Sequence, residues 1–516
     1  MEASSEAGQS ISTEDQTVAE TPEFIPVFTK LSDIYTDLDG SLKDVHEGRY
    51  LNTTKRFEQL YEQKPEFFIR SPARVTIVGE QISSSGFKDF QVPIDQDVVI
   101  AYSKHTKPEI WINNIDMALF PEEILDTDPS QKMREEDTWI NHFLAGYKAI
   151  MRSTTVEEEI SRGFEPVGMK IFIDSLIPFE CGLSSGKSFI MCVALLTMHA
   201  NGLINKIDNQ EYVKCINQGL QFIGREHDKI DISYLASKKD DDLDLENSDQ
   251  IDQINTGNTL KGYSFVISNS LTPSSKFMGL YTRHKKRVVE LRIATILLAM
   301  EFDKNYDISN AAACQYTSLA QLQKANNWSF EEMLSFIESK LKRGGYSKPE
   351  LEEALNSSNV VIDLNDVEHI YEVWQNNFKF SINETATHVI TEAQRVQKFC
   401  KNPTPIELGE CMDASQESLK SNFDCSSKEL DELISLCKEN DALGSKLTGN
   451  GWGGCSISLV EDSHLKEFID SVYTYYSKER APGEQLWITD DIDRYIFSSK
   501  SSAGPCVLDP QYCLWF

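Results

Sequence analysis

The chain has 516 residues, and its 50 lysines and arginines are outnumbered by 81 aspartates and glutamates, which gives a formal net charge of −31. A charge this negative repels phosphate polymers and anionic lipids, so the composition argues against nucleic acid and membrane surfaces as direct partners. Because 40% of the residues are apolar, the chain can nevertheless build packed cores. We therefore expect a folded protein of more than one domain.

The N-terminal residues 1–21 are rich in Glu, Ser, Thr and Gln and predict a disordered acidic tail. We find no basic segment leading into an apolar stretch there, and no apolar run approaches the roughly 18 residues of a membrane helix. The 11 cysteines have neither paired nor zinc-type spacing, which is typical of a reducing compartment. These features predict a cytoplasmic protein and leave a nuclear location open.

Strands and helices alternate along the rest of the chain. Alternating apolar residues predict strands at 74–78, 97–102, 108–113 and 168–173. The first of these strands is expected to be half-buried. Helical periodicity is found at 187–199, 287–302, 330–342 and 384–399. The apolar residues Cys455, Ile457 and Leu459 then predict a strand that follows four closely spaced glycines. The acidic segment 239–249 predicts an exposed loop, and we place a boundary there between domains 22–250 and 251–516.

A turn of small residues joins the strand at 168–173 to the helix at 187–199. Strand, small-residue turn and helix together present backbone N–H groups and a helix N-terminus to an anion. An ordinary capped helix, with Ser184 or Ser185 as its N-cap, explains the same residues. The segment alone does not decide between these two interpretations.

Three motifs in fixed order carry a family resemblance. They are Arg70-Ser-Pro-Ala-Arg-Val-Thr-Ile-Val-Gly-Glu80, the turn at 178–188, and Leu447-Thr-Gly-Asn-Gly-Trp-Gly-Gly-Cys455. They resemble the opening motif, the phosphate loop and the late glycine motif of the galactokinase branch of the GHMP sugar-kinase family. The resemblance spans about residues 66–508. It implies an α/β (α+β) protein of two domains, with the ligand site in the cleft between them.

Members of that family transfer the γ-phosphoryl group of MgATP to the C1 hydroxyl of a sugar. The resemblance places the catalytic aspartate at Asp231 and its neighbouring arginine at Arg74. It places the phosphate-binding residues at Gly182, Leu183, Ser184 and Ser185, with Lys187 as an added cation. The sugar-binding positions fall at Glu80, Gln81, Ser83 and His284.

Several of these positions depart from the family pattern. Glu180 and Cys181 replace a glycine and a serine in the phosphate loop, and a glutamate there repels phosphate. Gly186 and Leu220 stand where the family has its two metal-binding side chains, and neither has a side-chain oxygen for Mg²⁺. We therefore assign no metal ligand. At the sugar site, Gln81, Ser83 and His284 replace a histidine, an aspartate and a tyrosine.

These losses favour a catalytically impaired pseudokinase that binds a sugar or a regulatory protein, as the galactose-sensing paralogue of yeasts does. Two alternatives stay open. One is an active, ATP- and Mg²⁺-dependent sugar 1-kinase for galactose or an amino sugar, and the other is a scaffold without a small-molecule ligand. The basic segment 283–287 fits a nuclear-import signal, a contact for an acidic partner, or a solvated helix face that balances neighbouring acids.

Overall fold

A computed structural model describes residues 24–35, 40–136, 138–178, 181–223, 230, 232–235, 260–272, 278–303, 316–355, 379–401, 403–478, 495–500 and 502–510. The predicted tail at 1–21 and the acidic segment 239–249 lie outside these residues, as do Glu180 and Asp231.

The first sheet has seven strands in the order β1-β11-β2-β3-β6-β4-β5. Its strands are β1 (Val27–Phe28), β2 (Phe67–Val78), β3 (Phe90–His105), β4 (Glu109–Asn114), β5 (Glu123–Asp126), β6 (Gly168–Ser175) and β11 (Cys506–Leu508). The pairs β1/β11 and β4/β6 are parallel and the others are antiparallel. All four strands predicted in this part of the chain are present.

Strand β2 is buried over nearly its whole length, although its alternating pattern predicted a half-buried strand. One face carries Val75 and Ile77 into the main core, whereas Phe68 on the other face joins a second core. That second core is covered by helix α1 (Gly40–Tyr61), which the apolar pattern of the sequence had not indicated. Polar side chains on a strand therefore mark a buried network here and not a solvent face.

The opposite face of the first sheet is covered by helices. These are α2 (Trp139–Met151), α4 (Ser185–Ala200) and α5 (Asn209–Phe222), with the short α3 (Thr154–Ser161) between α2 and β6 along the chain. Helix α5 begins at the N-cap Asp208, whose carboxylate accepts a hydrogen bond from the Glu211 N–H at 2.8 Å. A capped, amphipathic segment of this kind folds locally and buries its apolar side, here against α2 and α4.

The second sheet has four strands in the order β10-β7-β9-β8, and every neighbouring pair is antiparallel. Its strands are β7 (Tyr263–Asn269), β8 (Gly444–Thr448), β9 (Cys455–Glu461) and β10 (Ile496–Ser499). The helices described in this half are α6 (Met278–Phe302), α7 (Leu319–Asn326), α8 (Phe330–Lys340), α9 (Lys348–Ala354), α10 (Ile382–Phe399), α11 (Pro405–Ser421), α12 (Lys428–Glu439) and α13 (Leu465–Lys478). The predicted helices at 287–302, 330–342 and 384–399 correspond to α6, α8 and α10.

The two halves of the chain are interleaved at β11, which lies between β1 and β2 in the first sheet although it comes from the C-terminal end. The division at residue 250 stays a prediction. The segment at 506–508, although it follows that boundary, belongs to the sheet of the first half.

A buried ion network supports this junction. Asp97 on β3 pairs with Arg49 of α1 and with Arg70 of β2, both at 2.5 Å. Arg70 also donates to the Ala503 carbonyl at 2.6 Å and to Ser502 Oγ at 2.9 Å, which fixes the segment before β11. Although burial alone would raise the pKa of Asp97, the two guanidinium groups lower it to about 2. Asp97 is therefore an ionised structural residue.

Candidate functional site

The turns of the three sequence motifs meet at one place. A Cβ added at Gly449, in the late glycine motif, would lie 2.3 Å from the carbonyl oxygen of Gly182 in the phosphate loop. A Cβ at Gly454 would lie 2.9 Å from the Cys181 carbonyl oxygen. Real Cβ atoms do not approach other atoms at 2.3 Å, so Gly449 is required for the two turns to pack. Gly449 and Gly454 therefore hold the late motif against the phosphate loop.

The phosphate loop ends directly before helix α4, and two of its residues have left-handed backbone conformations. Gly182 has φ +78° and Ser184 has φ +59°, and α4 begins at Ser185. Ser184 occupies the N-cap position, but its side chain makes no capping hydrogen bond. An ordinary serine-capped helix is therefore not what forms here. The loop, anchored by the buried Leu183, leads directly into the N-terminus of α4, and the free N–H groups of a helix N-terminus suit a phosphate.

Two cations lie beside this loop, and both contact Tyr234. Arg74 on β2 is 7% exposed, and its Nη1 donates to the Tyr234 carbonyl at 3.3 Å. Its guanidinium carbon is 4.8 Å from the centre of the Tyr234 ring. Lys187 Nζ is 5.6 Å from the same ring centre and 3.5 Å from the tyrosine hydroxyl. The structure thus brings the predicted Arg74 and Lys187 together through a tyrosine that the sequence reasoning missed.

Tyr234 follows the predicted catalytic Asp231 by three residues. This short distance in sequence was the only signal that could have indicated Tyr234 as a residue of the site. Asp231 itself and Glu180 lie outside the described residues. Their proposed roles therefore stay predictions.

Glu80 is buried and forms an ion pair with Lys446 of β8, which is also buried. Burial raises the pKa of Glu80 to about 8, Lys446 opposes that rise, and the nearby Glu392 adds to it. The Glu80 carbonyl accepts a hydrogen bond from Nε2 of the buried His388 at 3.0 Å. Glu80 is thus enclosed by side chains from the second half of the chain, and the motif alone does not indicate this.

Glu392 of α10 supports the turn before Glu80. One carboxylate oxygen accepts from the Gly79 N–H at 2.9 Å and from Ser415 Oγ at 2.6 Å, while the other pairs with Arg395 at 2.5 Å. Burial would raise the pKa of Glu392, but His388, Arg395 and Lys446 lower it below its usual value. A charged, fully bonded carboxylate therefore fixes the backbone of the first motif.

The remaining predicted sugar residues lie in three different settings. Gln81 has φ +67°, and its Nε2 donates to the carbonyls of Asn450 at 3.0 Å and Gly449 at 3.3 Å. Ser83 is exposed in the 3-10 helix Ser83–Ser85. His284 is half-buried on α6, which packs against α10. Gln81 therefore joins the first motif to the third, whereas Ser83 lies at the surface.

The basic segment 283–287 is only partly accessible. Lys285 and Arg287 are buried, and Arg287 pairs with Glu290 at 2.6 Å and with Asp424 at 2.9 Å. The interpretation of this segment as a solvated helix face is wrong for these two residues, because they lie on the packed side of α6.

The positions that correspond to the family's metal ligands do not fit Mg²⁺. Leu220 is fully buried in the main core on α5, and Gly186 in the first turn of α4 has no side chain. Within the described part of the chain, no group of three or more His, Cys, Asp or Glu residues could hold a metal ion. A hard cation needs several oxygen ligands, and these two positions offer none from their side chains.

Two family models match the chain. "Galactokinase galactose-binding signature" matches residues 55–104, and "GHMP kinases C terminal" matches residues 396–478. The first interval contains Arg74, Glu80, Gln81 and Ser83, and the second contains the late glycine motif.

Similar proteins are found at nearly full length. A galactokinase of Dictyostelium discoideum is 29% identical over 94% of this chain and 98% of its own length. A galactokinase of Saccharomyces cerevisiae is 26% identical over 88% of this chain and 94% of its own. The crystal structure of Lactococcus lactis galactokinase complexed with galactose superposes with a TM-score of 0.58 at 18% identity, covering 89% of this chain and 99% of that one. That likeness shows a common fold. Among the residues described, no helix is long and apolar enough to cross a membrane.

Proposed function

This chain belongs to the galactokinase branch of the GHMP kinase family, and from that premise we propose that it binds a sugar in the cleft but transfers phosphate weakly or not at all. In this proposal it acts as a ligand-binding or regulatory module in galactose-related metabolism, located in the cytoplasm. A protein partner would recognise its sugar-bound state.

A sugar ligand is supported by the geometry of the first motif. Glu80 and Gln81 sit on a turn that is fixed from behind by Glu392 and joined to the late motif by Gln81. A pre-organised turn of this kind loses little conformational freedom when a ligand binds. The galactose bound by the Lactococcus neighbour supports a hexose of the same class here.

The observation that carries the impairment is the complete burial of Leu220 in the core of the first half. Phosphoryl transfer depends on cations that neutralise charge on the transferred group. The chain has Arg74 and Lys187 near the phosphate loop, but no side-chain oxygen at Leu220 or Gly186 to hold Mg²⁺. A backbone cradle without its metal site favours binding over turnover.

The cradle still fits the phosphates of ATP in part. The N-terminus of α4 and Lys187 would hold them, and ATP would supply the γ-phosphoryl group. Residues 182–185 would orient that group, and Arg74 would stabilise its charge. We derive no step through Mg²⁺, because its ligands do not fit.

An active sugar 1-kinase is the second candidate, and the retention of Arg74 favours it. Arg74 is fixed on β2 by a hydrogen bond from Nη2 to the Gln91 carbonyl at 3.0 Å. In that case Asp231 would accept the proton of the sugar hydroxyl, and Arg74 would keep its carboxylate ionised.

The test is to incubate the purified full chain with MgATP and with galactose, N-acetylgalactosamine or glucose, following ADP release and thermal unfolding. We expect a rise in melting temperature with one sugar and no sugar-dependent ADP release. The variant Arg74→Ala controls for contaminating kinases. Release at about 1–100 turnovers per second that Arg74→Ala abolishes would establish the active kinase. Absence of any shift with sugar or nucleotide would favour the scaffold.

A further inference from the structure

The ring of Tyr234 contacts both Arg74 and Lys187, two cations beside the phosphate loop. Arg74 approaches the ring at 4.8 Å and Lys187 at 5.6 Å, and Lys187 Nζ is also 3.5 Å from the hydroxyl. Tyr234 is itself only 7% exposed. A cation near an aromatic face is attracted to the ring, so both charges have an intramolecular partner here.

The ring also fills space. The crevice between β2 and the first turn of α4 is bounded by Pro72, Ser184 and Met191, and with Tyr234 in place it has no room for a water molecule. A phosphate group attracted to Lys187 and to the N-terminus of α4 would have to enter this space from the loop side. Tyr234 therefore competes with such an anion both sterically and for the cations.

The segment that carries Tyr234 is anchored at Ile230. Asn217 of α5 holds Ile230, accepting from its N–H at 2.8 Å and donating to its carbonyl at 2.9 Å. Tyr234 is four residues further on, in the single 3-10 turn Ile232–Leu235. Its backbone carbonyl is bonded to Arg74 at 3.3 Å. A short 3-10 turn is readily rearranged, so the ring can move while Ile230 stays in place.

We propose that Tyr234 is an intramolecular plug, which occupies the phosphate end of the site and is displaced when a polyphosphate binds. This rests on the proposed function only in that the ligand enters the same cleft. The plug makes polyphosphate affinity depend on the energy needed to move one side chain.

The test measures binding of tripolyphosphate and of ADP by calorimetry, without metal, to the full chain and its Tyr234→Ala variant. We expect Tyr234→Ala to bind tripolyphosphate at least about tenfold more tightly, because its two cation–π contacts no longer compete with the phosphate for Arg74 and Lys187. Tyr234→Phe keeps the ring and should stay near the wild-type affinity. Leu235→Ala, in the same turn and equally buried, is the matched control for loosening of the segment.

Three results would overturn the plug. The first is that Tyr234→Ala binds tripolyphosphate no more tightly than wild type. The second is that Leu235→Ala tightens tripolyphosphate binding as much as Tyr234→Ala does. The third is that no variant binds tripolyphosphate or ADP. If Tyr234→Ala does not fold, Tyr234→Leu retains apolar volume and should still gain affinity, and its failure to do so would refute the idea. Sugar-dependent thermal shifts of the same variants are scored separately. A retained sugar shift without a gain in polyphosphate binding refutes the plug alone, while the reverse pattern refutes the proposed sugar binding.

Discussion

Replacing Asp97 by asparagine should remove the charge at the centre of the buried ion network. The side chains of Arg49 and Arg70 are 8% and 0% exposed, so neither can turn to solvent when the carboxylate is lost. The hydrogen bond from Tyr35 Oη to Asp97, 2.7 Å long, is also weakened. Breaking a buried ion pair by removing one partner costs roughly 3–5 kcal/mol. We expect Asp97→Asn to lower the free energy of unfolding by about that amount.

Urea denaturation followed by tryptophan fluorescence measures this loss, since urea does not screen charges. The control is Glu338→Gln, which breaks an exposed pair with Arg343 and should leave stability unchanged. Because the pKa of Asp97 is lowered from 3.8 to about 2, its stabilisation is present above pH 3.8 and is lost as pH falls toward 2. The difference between wild type and Asp97→Asn should shrink over that range. A loss no larger than that of Glu338→Gln at pH 7 would refute the reasoning.

Three further predictions concern the turns, the core and the histidines. Gly449→Ala should lower the melting temperature more than Gly202→Ala, because both glycines have positive φ but only the first would place a Cβ 2.3 Å from another atom; equal losses would show that the packing of the turns is unimportant. Leu220→Glu should not restore Mg²⁺-dependent ADP release, and it should lower the free energy of unfolding by about 3 kcal/mol or more because it buries a carboxylate. Leu220→Met should lower that free energy by less than about 1.5 kcal/mol. A stable, active Leu220→Glu protein would contradict this prediction. Burial lowers the pKa of His46, His199 and His388 from 6.5 to about 4. Between these pH values the unfolded chain binds more protons than the folded chain, so the free energy of unfolding should fall as pH drops from 6.5 to 4, by up to about 1.4 kcal/mol per pH unit for each histidine. Urea melts across this range should show that slope, and replacing any one of the three histidines by glutamine should reduce it.

Periodicity predicted five of the described strands and four of the described helices, and three motifs predicted the family. The strand at 168–173 and the helix at 187–199 appear as β6 and α4, because local patterns decide local structure. Helix α11 went unpredicted although Thr404 and Glu407 form a capping box, a signal that the sequence does contain.

The environment of each site residue could not be predicted in this way. Glu80 meets Lys446 and His388 only after more than 300 residues of chain have folded around it, and no local pattern encodes such a contact. The basic segment 283–287 shows the same limit, since charge alone did not reveal that Arg287 points into the protein. Motifs identify which residues matter, whereas tertiary packing decides what those residues touch.

The position of β11 has a consequence for how the protein is made. The strand at 506–508 separates β1 from β2, so the first sheet lacks an interior strand until residue 508 has left the ribosome. Arg70 likewise waits for Ala503, 433 residues later. Contacts this distant in sequence form slowly and leave hydrophobic strand edges exposed meanwhile. Nascent chains halted before residue 502 should therefore depend on chaperones, even though all three sequence motifs, which end at Cys455, have already been synthesised.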